Sequence, residues 1–138
     1  MSSRDWYDSV MSTTTLTHQL ETRIRQELPS LSEEQAAELA DIVNQLISLW
    51  RPERIYAFGS HARGDAHVDS DVDLMVVVAS SDEPGYRRAQ RSRLALQRRY
   101  LFPLDVLVWT HDEFERRAPN PATLPGTILR EGKLLHAA

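Results

Sequence analysis

The 138-residue chain contains no cysteine, which excludes disulfides and thiolate metal sites alike. It has no apolar run approaching the roughly 20 residues of a membrane span. Its first residues, M-S-S-R-D-W-Y-D-S-V, carry no apolar signal core, so a cytoplasmic protein is expected. A positive charge excess is also missing: the net charge is −4 and the pI near 5.7, which argues against wholesale electrostatic capture of duplex nucleic acid. No Gly-Lys-Ser/Thr marks a Walker A loop, and His18, His67, His111 and His136 show no zinc spacing such as H-E-x-x-H. No internal repeat or low-complexity tract is present. What remains, 41% hydrophobic and 26% charged residues, is the composition of one soluble domain long enough to bury a core.

The chemistry is concentrated between Arg54 and Val78. Ile55 to Phe58 and Leu74 to Ala79 are short apolar runs rich in β-formers and bounded by Gly, Asp and Ser, which predicts two strands bracketing a polar connection. Residues i and i+2 of a strand share a face, so Asp71 and Asp73 project together at the start of the second strand. Such a pair repels unless a cation lies between its members, and all-oxygen ligation suits Mg²⁺. Gly59, without a Cβ, lets backbone N–H groups approach an anion, and Ser60 adds a hydroxyl donor. Asp69, Asp71 and Asp73 also imitate the first ligands of an EF-hand. That reading fails where Leu74 replaces the required glycine and Ser80 stands in place of the closing glutamate.

Around this centre, residues 1–14 have no period and are expected to form a flexible arm, with a single domain over 15–138. Leu16, Leu20, Ile24 and Leu28 predict a helix ending before Pro29, and Ser32 with Gln35 forms a capping box for a second helix ending before Pro52. Pro84 suits the first turn of a helix reaching to about Tyr100. That segment carries Arg87, Arg88, Arg91, Arg93, Arg98 and Arg99, expected mainly as a solvated face. Leu104 to Trp109 is a strand with Asp105, Leu107 and Trp109 on one face; it is expected to be largely buried, where a carboxylate demands an explanation. Thr110 with Glu113 caps a short helix ending near Pro119. Asn120 to Pro125 is expected as a loop, Thr127 to Glu131 as a helix capped by Gly132, and Lys133 to His136 as a last strand. The order predicts an α/β fold.

Gly59-Ser60-His61-Ala62-Arg63-Gly64 followed by Ser70-Asp71-Val72-Asp73-Leu74 resembles the signature of the DNA polymerase β-type nucleotidyltransferase superfamily, and the small size resembles its minimal nucleotidyltransferase branch. The resemblance runs from about Leu31 onward. It implies a polymerase β-like nucleotidyltransferase fold, a mixed sheet flanked by helices, with Asp105 as a third carboxylate. His61, in the variable position of the motif, is expected as an exposed loop residue.

The implied activity is transfer of a nucleoside monophosphate, AMP from ATP, to a hydroxyl with release of pyrophosphate. Asp71, Asp73 and Asp105 would be catalytic and would hold Mg²⁺, two ions during catalysis. Gly59, Ser60, Arg63 and Ser70 would bind the nucleotide; Arg63 is equally suited to bracing the motif through an ion pair. Small stand-alone members resemble antitoxins that adenylylate a HEPN-type toxin, which implies such a protein partner, no membrane, and no nucleic acid as the main partner. The alternatives are a small-molecule transferase of the aminoglycoside-modifying kind and an antitoxin that acts by binding alone.

Overall fold

The computed structural model describes residues 16–67, 69–96 and 100–138; the arm expected over residues 1–14 lies outside them. The elements in chain order are α1 (residues 16–27), α2 (Glu33–Trp50), β1 (Arg54–Phe58), α3 (Ser60–Arg63), β2 (Val72–Val78), α4 (Gly85–Ala95), β3 (Leu104–Thr110), α5 (His111–Arg117), α6 (Leu124–Glu131) and β4 (Lys133–Ala137). The strands form one mixed sheet in the order β3-β2-β1-β4, with β2 and β3 parallel and the other pairs antiparallel.

Alternation along the strands builds two cores. Ile55, Ala57, Leu74, Val76 and Val108 pack with Ile24 of α1, Leu28 just after it, and Leu39, Val43 and Leu46 of α2. Tyr56, Met75, Val77, Phe114 and Ile128 form the other core, between the sheet and α5 and α6. β2 is covered on both faces, and five consecutive residues, Leu74 to Val78, are buried, which is why its sequence is a continuous apolar run rather than an alternating one. Each such side chain removed from water contributes about 1.5–3 kcal/mol. Across the second core Tyr56 and Phe114 stack with ring centroids 5.7 Å apart. Arg54 lies 5.6 and 5.1 Å from the two centroids and pairs with Glu115 at 2.7 Å.

Both predicted capping boxes form, at Ser32–Gln35 and Thr110–Glu113. Three expectations are corrected. α4 ends at Ala95 with Leu96 as its cap, so the helix does not reach Tyr100. α6 begins inside the expected loop, because the Thr123 hydroxyl caps the Gly126 amide and Pro125 sits in the first turn, where its missing N–H is harmless. Gly132 caps α6 as expected, in an extended conformation; a Cβ there would come within 2.5 Å of the Ile128 carbonyl oxygen. β3 pairs with β2 alone, at the edge of the sheet, and Asp105 is exposed rather than buried.

The arginine-rich α4 is not uniformly solvated. Arg88 is 3% exposed; it donates to the Val108 carbonyl at 2.6 Å and the Glu83 carbonyl at 3.0 Å, and pairs with Glu113 at 2.8 Å. One guanidinium thus fastens α4, β3 and α5 together. Arg91 lies 5.0 Å from the Trp50 ring centroid and pairs with Glu83, while Arg87 and Arg93 are exposed. Among the described residues no helix is long and apolar enough to cross a membrane.

Candidate active site

Strand register brings the candidate residues together. Asp73, the second residue of β2, stands opposite Phe58 of antiparallel β1 and opposite Asp105 of parallel β3. Asp71 precedes β2 by one residue, and alternation gives all three carboxylates the same face of the sheet, the face that carries Met75, Leu107 and Trp109. Asp71 and Asp105 are exposed and Asp73 is partly buried.

Gly59 follows Phe58 directly and therefore lies beside Asp73. Its φ is +78°, and a Cβ built there would fall 2.3 Å from Asp73 Oδ2. Backbone conformation and proximity both require glycine at this point. Ser60 opens the single-turn α3, and Gly64 closes it at φ +85°. Across the sheet the order is thus the Gly59-Ser60 turn at the end of β1, Asp73 on β2 and Asp105 on β3.

Burial pushes the Asp73 carboxyl up to about 6, the charges of Asp105 and then Asp71 add to the rise, and Arg63 opposes it. Arg63 is near enough to be felt electrostatically and pairs with Asp65 at 3.3 Å on the surface. Ser70 has a structural occupation as well. Its hydroxyl accepts from the His67 amide at 2.7 Å, and its amide donates to the His67 carbonyl at 3.0 Å.

The donor set fits a hard divalent cation. Three carboxylates share a face, and the rise at Asp73, owed first to burial and then to the charges of Asp105 and Asp71, is only partly offset by Arg63. Among the described residues no group of three His, Asp or Glu side chains is placed so that it could hold a metal ion by itself. Mg²⁺ requires none, since one or two carboxylates with water and substrate phosphate complete its shell. Among the described residues Asp105 has no ion-pair partner.

One residue of the motif was misplaced by sequence reasoning. His61 is 4% exposed, not an exposed loop residue. Its Nδ1 lies 2.9 Å from Ser30 Oγ and its Nε2 3.2 Å from the Ser70 carbonyl. The available signal was that in a one-turn helix at least one side chain faces inward; here His61 and Ala62 do.

A cavity of about 340 Å³ between α4 and β3 borders Asp105. Its other β3 lining, Leu104 and Val106, faces α4, and neither Asp71 nor Asp73 borders it.

A family model described as a nucleotidyltransferase domain matches residues 37–135, more than two thirds of the chain. No curated protein matches. Among solved structures, a protein of Sulfolobus solfataricus provisionally named a nucleotidyltransferase is similar at 22% identity, over 72% of this chain and 78% of that one, with a TM-score of 0.48. The family match includes Gly59, Ser60, Asp71, Asp73 and Asp105, the residues that the sheet gathers at one end, and the chain belongs to the nucleotidyltransferase domain family.

Proposed function

We propose that the protein transfers AMP from ATP to a hydroxyl group on a protein partner, a HEPN-type toxin, and so acts as an antitoxin. The observation that carries the transfer reading is the row formed by the Gly59-Ser60 turn, Asp73 and Asp105 across β1, β2 and β3. In-line displacement needs the leaving and attacking oxygens on opposite sides of the α-phosphorus. The turn, with backbone N–H groups and the Ser60 hydroxyl, would hold the β- and γ-phosphates on one side. Asp105 would receive the acceptor hydroxyl on the other.

In the reaction the acceptor oxygen bonds to the α-phosphorus as the bond to the bridging α,β-oxygen breaks. Pyrophosphate leaves, and the hydroxyl proton passes to the Asp105 carboxylate, which acts as general base. Asp71 and Asp73, with Asp105, would hold Mg²⁺, which when bound neutralises phosphate charge. The chain's own contribution is positioning, since two aspartates and a turn on adjacent strands of one sheet are held rigidly relative to one another.

A protein acceptor is favoured by accessibility: Asp71 and Asp105 are exposed, and β3 is an edge strand, so a hydroxyl on a folded surface can approach from beyond the sheet. Incubation with α-labelled ATP, Mg²⁺ and the product of the neighbouring gene tests the proposal. Label on that protein supports it. Label on small hydroxylated compounds alone points to the small-molecule transferase, and neutralisation without label to an antitoxin that acts by contact.

A further inference from the structure

His61 is buried in α3 and has no part in the transfer step outlined above. A buried imidazole is retained at a cost unless its nitrogens are satisfied, and both are engaged here. Nε2 faces the Ser70 carbonyl at 3.2 Å and Nδ1 faces Ser30 Oγ at 2.9 Å. A carbonyl only accepts, so Nε2 carries the proton, and in the neutral ring Nδ1 accepts from the Ser30 hydroxyl.

The three partners lie far apart in the chain and close to the site. Ser30 belongs to the connection between α1 and α2, His61 follows Gly59 by two residues, and Ser70 immediately precedes Asp71. Along the connection that delivers Asp71, Gly64, Asp65, His67 and Asp69 are exposed. Its last residue is held by the local turn with His67 and by the ring of His61.

We propose that His61 is a positioning residue: through the Ser70 carbonyl it fixes the separation between the Gly59-Ser60 turn and Asp71, so that the phosphate-holding and metal-holding halves of the site engage one nucleotide together. The inference rests on the nucleotidyltransferase reading. It requires a donor at the reach of Nε2, which a glutamine amide matches and an asparagine amide, reaching only as far as Nδ1, does not.

The test is the ratio of ATP affinities with Mg²⁺ and with EDTA, measured by calorimetry on the full chain for wild type, His61→Gln and His61→Asn, alongside the melting temperature of each. Wild type should gain roughly tenfold or more from the metal. His61→Gln should keep that gain within about threefold. His61→Asn should lose most of the gain while its affinity in EDTA stays at the wild-type value.

An Asn variant that keeps the gain overturns the proposal. So does one whose two affinities fall together with its melting temperature, because His61 would then be a packing residue only. No metal gain in wild type would instead sink the nucleotidyltransferase reading, and this inference with it. Should His61→Asn fail to fold, the imidazole ¹⁵N spectrum of wild type decides: a protonated Nε2 supports the proposal and a protonated Nδ1 overturns it.

Discussion

Asp73 and Asp105 occupy one row of the parallel β2–β3 pair, although a helix and its flanking loops separate them in the chain. Adjacent carboxylates on one face repel, and the cost is tolerable only where something else in the working protein uses the charge.

Asp73→Asn should therefore leave the melting temperature level or raised, since it removes one member of a crowded acidic group, while nucleotidyl transfer falls by at least about a hundredfold. Thermal denaturation and a labelled-transfer assay on one preparation check both halves. A folded variant with wild-type transfer would contradict the assignment.

Asp105→Asn should separate function from stability in the same way, for a different reason. The residue is exposed on an edge strand with no ion pair among the described residues, so unfolding free energy should change by no more than about 0.5 kcal/mol. Denaturant titration sets the stability change against the loss of transfer.

Gly59→Ala should destabilise by about 1–3 kcal/mol, from a positive φ and from a Cβ placed against Asp73 Oδ2. Combining it with Asp73→Ala removes the collision but not the backbone strain. The double variant should thus be more stable than the sum of the single changes indicates, a coupling read by a double-mutant cycle.

Acid should loosen the junction of α4, β3 and α5. The Arg88 hydrogen bonds hold the Glu113 carboxyl down at about 2, against an ordinary value of 4.5. A depressed carboxyl pKa stabilises the fold above the unfolded value, and that contribution disappears as pH falls from about 4.5 toward about 2. Glu113→Gln should flatten stability over this window, and at pH 7 it should cost about 1–2 kcal/mol, because Arg88 stays buried without its counter-charge while the half-exposed Glu113 is screened by solvent. Chemical denaturation at a series of pH values measures both effects.

Much of this was legible locally. Capping boxes, the β2 run, the Asp71–Asp73 spacing and the face of Asp105 all follow from periods of two and from the chemistry of short motifs. Strand order does not. Nothing within Leu104 to Trp109 says whether a second neighbour will pair with it, so an apolar strand was expected to be buried and is instead an edge. His61 and Arg88 were misjudged for a related reason. A polar side chain is buried when distant partners reach it, and Ser30, the Val108 carbonyl and Glu113 are not adjacent to them in sequence.

The grip of Arg88 on the Val108 carbonyl has a consequence for solubility. Pro103 bonds inward to Val72, so by alternation the carbonyls of Leu104, Val106 and Val108 point out along the free edge of β3. An open parallel edge invites strand addition from another chain. Arg88 takes one of those three acceptors and places a charged group, with the body of α4, beside it. Among the described residues no side chain bonds the carbonyls toward Leu104, the end that carries Asp105, so the barrier to self-assembly is strongest where no access is needed.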